Sequence, residues 1–168
     1  PEPVEDGVTF AENALIKARA AAAHTGLPAL ADDSGICVDV LGGSPGVFSA
    51  YWAGQKKDDK ANLALLLDQL HDVGDERRAA TFVSTIALVV PGVDGESAIE
   101  HVAEGRWPGR LARAASGDGG FGYDPIFVPD GQVPGHETSV AEWEPARKNA
   151  ASHRARAFAV LMPLLTGL

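Results

Sequence analysis

Ala79-Ala80-Thr81-Phe82-Val83-Ser84-Thr85-Ile86-Ala87-Leu88-Val89-Val90 is a β-rich run, and Pro91-Gly92-Val93-Asp94-Gly95 behind it is a turn signal. A second strand pattern follows from about Ser97 to Trp107, so the pair reads as a long antiparallel hairpin. A hairpin at the centre is incompatible with a strictly parallel sheet. Helical patterns lie on either side of it. Upstream, Thr9 and Glu12 form a capping-box signature for a helix from Phe10 to about His24, closed by Gly26. Its apolar stripe is Phe10, Ala14, Ala18, Ala21 and Ala22, with Lys17 at the margin. Leu30 to Val40 reads as a strand or hairpin arm. Asp58 or Asp59 caps a second helix through Leu70, with Leu63, Leu66, Leu67 and Leu70 on one face. Downstream, Phe121 to Val128 includes a strand, and Ser152 opens a last helix that Pro163 bends or ends. The expected class is α/β, a long twisted mixed sheet flanked by helices.

At 168 residues the chain fits one domain with a sizeable core. Apolar residues make 45% and charged residues 22%, ordinary for a globular protein. The net charge of −9 excludes a nucleic-acid polymer or an anionic membrane as the expected partner, because either would repel the chain. It does not exclude a triphosphate, which a few local cations and a metal can hold. Cys37 is the single cysteine and sits in an apolar run, so a buried thiol in a reducing cytoplasm is expected, and no intrachain disulfide is possible.

Three segments carry chemistry. In Ala31-Asp32-Asp33-Ser34-Gly35, adjacent carboxylates of an extended chain point to opposite faces, so both turn inward only if the chain bends at Ser34-Gly35. A carboxylate there suits a divalent cation or a general base, while the residues alone favour a solvated turn. Gly117-Asp118-Gly119-Gly120-Phe121-Gly122-Tyr123-Asp124 could cradle a ligand with backbone donors, or form a flexible hairpin loop. Lys148-Asn149-Ala150-Ala151-Ser152-His153-Arg154 puts cations at a helix start, where the dipole opposes them unless an acid or ligand compensates.

In this order the three segments resemble the inosine triphosphate pyrophosphatase family, from about Glu5 to Ala157. The resemblance implies two lobes with a central cleft. It implies magnesium-dependent cleavage of inosine, deoxyinosine or xanthosine triphosphate to the monophosphate and pyrophosphate, in a homodimer. By resemblance, Asp33 holds metal and activates water, with Asp32 and Glu5 as further metal-site carboxylates. Ser34 contacts substrate, and Lys17 and Lys148 lie near the phosphates. Phe121 stacks on the purine, Gly122, Tyr123 and Asp124 build the nucleoside pocket, and His153 and Arg154 recognise the base. The family commonly has Arg where this chain has Tyr51, and an acidic pair where it has Ala146-Arg147. The family's first strand and phosphate loop have no counterpart here, so an N-terminally incomplete domain is expected. A nucleotide-binding protein without turnover and a structural oligomer subunit are the competing readings.

Overall fold

The computed structural model describes residues 2–93 and 95–166. Asp94, within the expected hairpin turn, lies outside them. Among the described residues four strands form one sheet in chain order: β1 (Ala29–Val38), β2 (Ala79–Val90), β3 (Ile99–Leu111) and β4 (Phe127–Pro129). The helices are α1 (Phe10–Thr25), α2 (Asp59–Gln69), α3 (Pro145–Ala151) and α4 (His153–Leu165). Helices and strands are mixed as expected. Among the described residues no helix is long and apolar enough to cross a membrane.

The chain divides into two compact units. The first comprises Pro1–Ser34, Ser84–Arg106 and His153–Leu168. β2 is buried on both faces there, because its alternating side chains meet different helices. Ala87 and Val89 pack on Ala14, Ala18 and Ala22 of α1. Ile86 and Leu88 pack with Ala103 of β3 and with Ala157 and Leu161 of α4. Thr9 caps α1 by accepting from Glu12 N, and left-handed Gly26 closes it. Gly105 lets β3 approach α4. A Cβ there would lie 2.2 Å from the His153 carbonyl and 2.3 Å from the Ala157 nitrogen.

The second unit comprises Gly35–Val83 and Trp107–Ser152. Its core joins Ile36 and Val38 of β1, Leu66 of α2 and Leu70 just after it, Phe82, Trp107, Leu111 and Phe127. Phe82 and Phe127 meet edge to face at 4.4 Å between centroids, at the short limit of the separations aromatic pairs adopt. β3 pairs antiparallel with β4, Gly109 opposite Pro129 and Leu111 opposite Phe127. Asp58 caps α2. At the other end of α2, Arg78 is 2% exposed and donates to the carbonyls of Leu70, Val73, Leu111 and Ala112. It thereby satisfies the Leu70 carbonyl at the helix end and joins it to carbonyls at the end of β3.

Several details differ from the sequence reading. β1 runs straight through Ser34 and Gly35, so there is no turn at the acidic pair. β3 continues past Trp107 to Leu111. Ala21 is exposed, and Asn13 takes its place among the buried residues of α1. A separate short helix, α3, precedes Ser152. Cys37 is only partly buried, and α4 extends beyond Pro163.

Candidate active site

Because β1 stays extended, Asp33 and Asp32 leave it on opposite faces and acquire different partners. Asp33 meets Lys17, which α1 presents one turn after buried Asn13. Lys17 Nζ lies 3.1 Å from Asp33 Oδ1 and 3.2 Å from Glu5 Oε2. Asn13 Oδ1 accepts from Gly7 N at 2.9 Å, which ties the segment bearing Glu5 to the helix bearing Lys17. The Asn13 amide also lies close enough to Asp33 to favour its ionised form, though out of hydrogen-bonding geometry with Oδ2.

Asp33 is only 14% exposed, and its Oδ2 is buried without a hydrogen-bond partner among the described residues. Burial pushes its proton affinity above the ordinary range by more than Lys17 pulls it back, and Glu5 adds to the rise. Burial alone would lower Lys17, but Asp33 and Glu5 hold it above its usual value. An unpartnered carboxylate oxygen beside a second carboxylate, around a point already occupied by positive charge, fits a small divalent cation. Magnesium needs one or two carboxylates and retains several waters. Among the described residues no cluster of three or more His, Cys, Asp or Glu side chains surrounds such a point. Water and substrate oxygens would have to complete the shell.

Asp32 does not join that group. Its Oδ2 accepts from Ser34 Oγ at 2.8 Å and from Arg154 Nε at 3.0 Å. Burial would raise its proton affinity, but the Ser34 hydroxyl and the Arg154 guanidinium outweigh this and hold it below the ordinary range. Asp32 is therefore the acid that compensates the cation at the start of α4. His153, beside Arg154, is buried.

In the second unit Phe121 is 59% exposed, an aromatic face left open to water. Lys148 Nζ lies 4.2 Å from its ring centroid and is ion-paired with buried Asp124. Asp124 Oδ2 also accepts from Phe121 N at 3.0 Å. Gly120, at φ +69°, permits this turn, since a Cβ there would lie 2.1 Å from Asp124 Oδ2. Gly122 N donates to Asp59 Oδ2 at 3.2 Å. Tyr123 is committed elsewhere: its buried hydroxyl donates to Ser49 O at 2.7 Å, and burial pushes the phenol up. It shapes the loop from below and presents no phenol to a ligand.

The structure thus groups Glu5, Lys17 and Asp33, separately groups Asp32, Ser34 and Arg154, and in the second unit groups Phe121, Asp124 and Lys148. Lys148, expected near phosphates, is held against Phe121 and Asp124. Tyr51, in place of the family Arg, stands edge-on to Phe48 at 5.8 Å. Asn13 and Asp59, to which the sequence gives no role in a site, join these groups through Gly7 N and Gly122 N. The one available signal was an Asn one turn before Lys17 in an otherwise alanine-rich stripe.

A family model described as the Ham1 family matches residues 1–164. The chain is 62% identical over 168 residues to a dITP/XTP pyrophosphatase of Leifsonia xyli subsp. xyli, covering 100% of this chain and 80% of that protein. It is 57% identical over 167 residues to a dITP/XTP pyrophosphatase of Nocardia farcinica, covering 99% and 77%. Among solved structures, the Staphylococcus aureus Ham1 protein superposes with a TM-score of 0.85 at 38% identity, over 99% of this chain and 81% of that one. A nucleoside-triphosphatase / dITP/XTP pyrophosphatase of Mycobacterium abscessus gives 0.79 at 55% identity, over 98% and 80%.

Proposed function

The chain belongs to the Ham1 family, and from that premise we propose that it hydrolyses deoxyinosine, inosine and xanthosine triphosphates to the monophosphate and pyrophosphate, removing non-standard purines from the nucleotide pool. The observation that carries this reading is identity of 54–62% to dITP/XTP pyrophosphatases over essentially the whole chain. The grouping of Asp33, Lys17 and Glu5 supplies the chemistry. Water attacks the α-phosphorus, the bond from that phosphorus to the bridging oxygen breaks, and pyrophosphate leaves with the bond's electron pair. Asp33 Oδ2, buried and without a donor, is placed to take the proton from that water. Lys17 balances charge beside it. Asp33 and Glu5 would hold magnesium, which when bound would supply charge neutralisation of the triphosphate and polarisation of its oxygens. In the second unit, Phe121 presents an exposed aromatic face suited to stacking on a purine. In the first unit, Arg154 with His153 offers donors suited to a purine edge. The enzyme works in the cytoplasm as a homodimer.

Pyrophosphate release from inosine, deoxyinosine, xanthosine, adenosine and guanosine triphosphates, with magnesium present, tests the reading. The 6-oxo bases lacking a 2-amino group should be preferred by ~10⁴ over adenosine triphosphate, because a hydrogen-bonding pocket rejects a mismatched edge. Asp33→Asn should lower turnover on the preferred substrates by ~10²–10³ or more. Equal rates on all five nucleotides, or release of orthophosphate in place of pyrophosphate, would overturn the assignment.

A further inference from the structure

Arg154 occupies the first turn of α4, where a guanidinium is opposed by the helix dipole and a long side chain has many rotamers to choose from. Two contacts remove that freedom. Arg154 Nε donates to Asp32 Oδ2 at 3.0 Å, and Ser34 Oγ donates to the same oxygen at 2.8 Å. Ser34 is two residues from Asp32 on extended β1, hence on the same face, so the strand sets the carboxylate and the carboxylate sets the guanidinium. A bond through Nε fixes the plane of the group and the directions of Nη1 and Nη2. Both side chains are 40% exposed, so a ligand can reach the pair.

We propose that Asp32, held by Ser34, is the positioning residue that orients Arg154 toward the purine edge and thereby sets the preference for 6-oxo bases. This rests on the substrate reading above, and it assigns the two adjacent carboxylates separate tasks. Asp33 serves the phosphate chemistry with Lys17 and Glu5. Asp32, on the opposite face, contributes no metal ligand.

Steady-state kinetics of Asp32→Ala, Asp32→Asn, Arg154→Ala and the Asp32→Ala/Arg154→Ala double variant, on inosine and adenosine triphosphates, decide the matter. Asp32→Ala should lower the inosine-over-adenosine ratio of kcat/KM at least tenfold, with the loss falling on KM more than on kcat. Asp32→Asn keeps an oxygen acceptor for Nε and should recover most of that ratio, whereas a lost metal ligand would not be rescued by an amide. The double variant should be no less selective than Arg154→Ala alone, the signature of two residues acting as one. An unchanged ratio with collapsed kcat on both nucleotides, or additive losses in the double variant, would overturn the proposal. A wild-type protein without 6-oxo preference would instead overturn the substrate reading. Nitrogen NMR of the Arg154 Nε–H, assigned by its loss in Arg154→Lys, then still tests the positioning. The resonance should sharpen into slow exchange in wild type and in Asp33→Asn, and be lost in Asp32→Ala. Its persistence in Asp32→Ala would reject the contact itself.

Discussion

Asp33 is under opposing demands, since the chemistry wants a carboxylate while burial favours the acid. With its native pKa raised above the ordinary 3.8, the unfolded chain loses this proton first as pH rises. The folded state therefore binds more protons across that window and loses stability until pH has passed the raised native value. Below the ordinary value the contribution is fully present. Asp33→Asn removes the effect, so in metal-free buffer its melting temperature should match wild type below about pH 3.5 and exceed it at pH 7. Thermal melts from pH 3 to 8 check this, and a variant less stable than wild type at pH 7 would show that Lys17 outweighs burial. Such a gain coupled to lost turnover is the usual trade at a site that stores an unfavourable charge. From the sequence, Asp33 and Lys17 could be nominated only through the family resemblance, because the residues alone read as a solvated turn and a surface lysine. The pairing of Asp32 with Arg154 could not, because the two are 122 residues apart and no periodicity encodes that distance. Asn13 gains no site role from the sequence, because a polar residue in an alanine stripe reads as the edge of the apolar face.

At the scale of elements, the contact between β3 and α4 decides where His153 and Arg154 stand. Gly105→Ala would put a Cβ against backbone atoms of His153 and Ala157, so the helix must move. Overpacking of this kind costs ~1–3 kcal/mol, and here it should also narrow base selectivity. Gly109→Ala is the control: it meets Val128 O at 2.4 Å and the Phe127 ring, and should destabilise without changing the inosine-over-adenosine ratio. Urea melts and the two kcat/KM values separate the cases. Selectivity intact in Gly105→Ala would mean that α4 does not place the base-reading pair. The long periodic elements α1, α2 and β2 were readable from the sequence nearly to the residue. α3 was not, because seven residues are too few for a period to emerge, whereas the start of α4 directly after Ser152 agrees with the sequence reading. The end of β3 was missed because Pro108 reads as a break, whereas it lies between Trp107, buried in the core, and Gly109, paired with Pro129.

For the whole molecule, the charge of −9 and the exposed Phe48 bear on assembly. A homodimer would have to cover apolar surface while bringing together two acidic chains, so added salt should favour it by screening their repulsion. Sedimentation equilibrium should give twice the chain mass, and Phe48→Glu should shift the mass toward the monomer. A wild-type monomer at all salt concentrations would remove the dimer from the proposal. The same charge predicts no retention on duplex DNA at ~0.15 M salt, readable by fluorescence anisotropy. The first compact unit, assembled from three separated stretches of chain, has a consequence for biosynthesis. Lys17 precedes Asp33 by 16 residues, so that carboxylate emerges from the ribosome with its cation already made. Asp32 must wait 122 residues for Arg154, about 6 to 24 s at ~5–20 residues per second. In the nascent chain the phosphate-side pair can therefore form early, while the base-reading pair is among the last contacts to close.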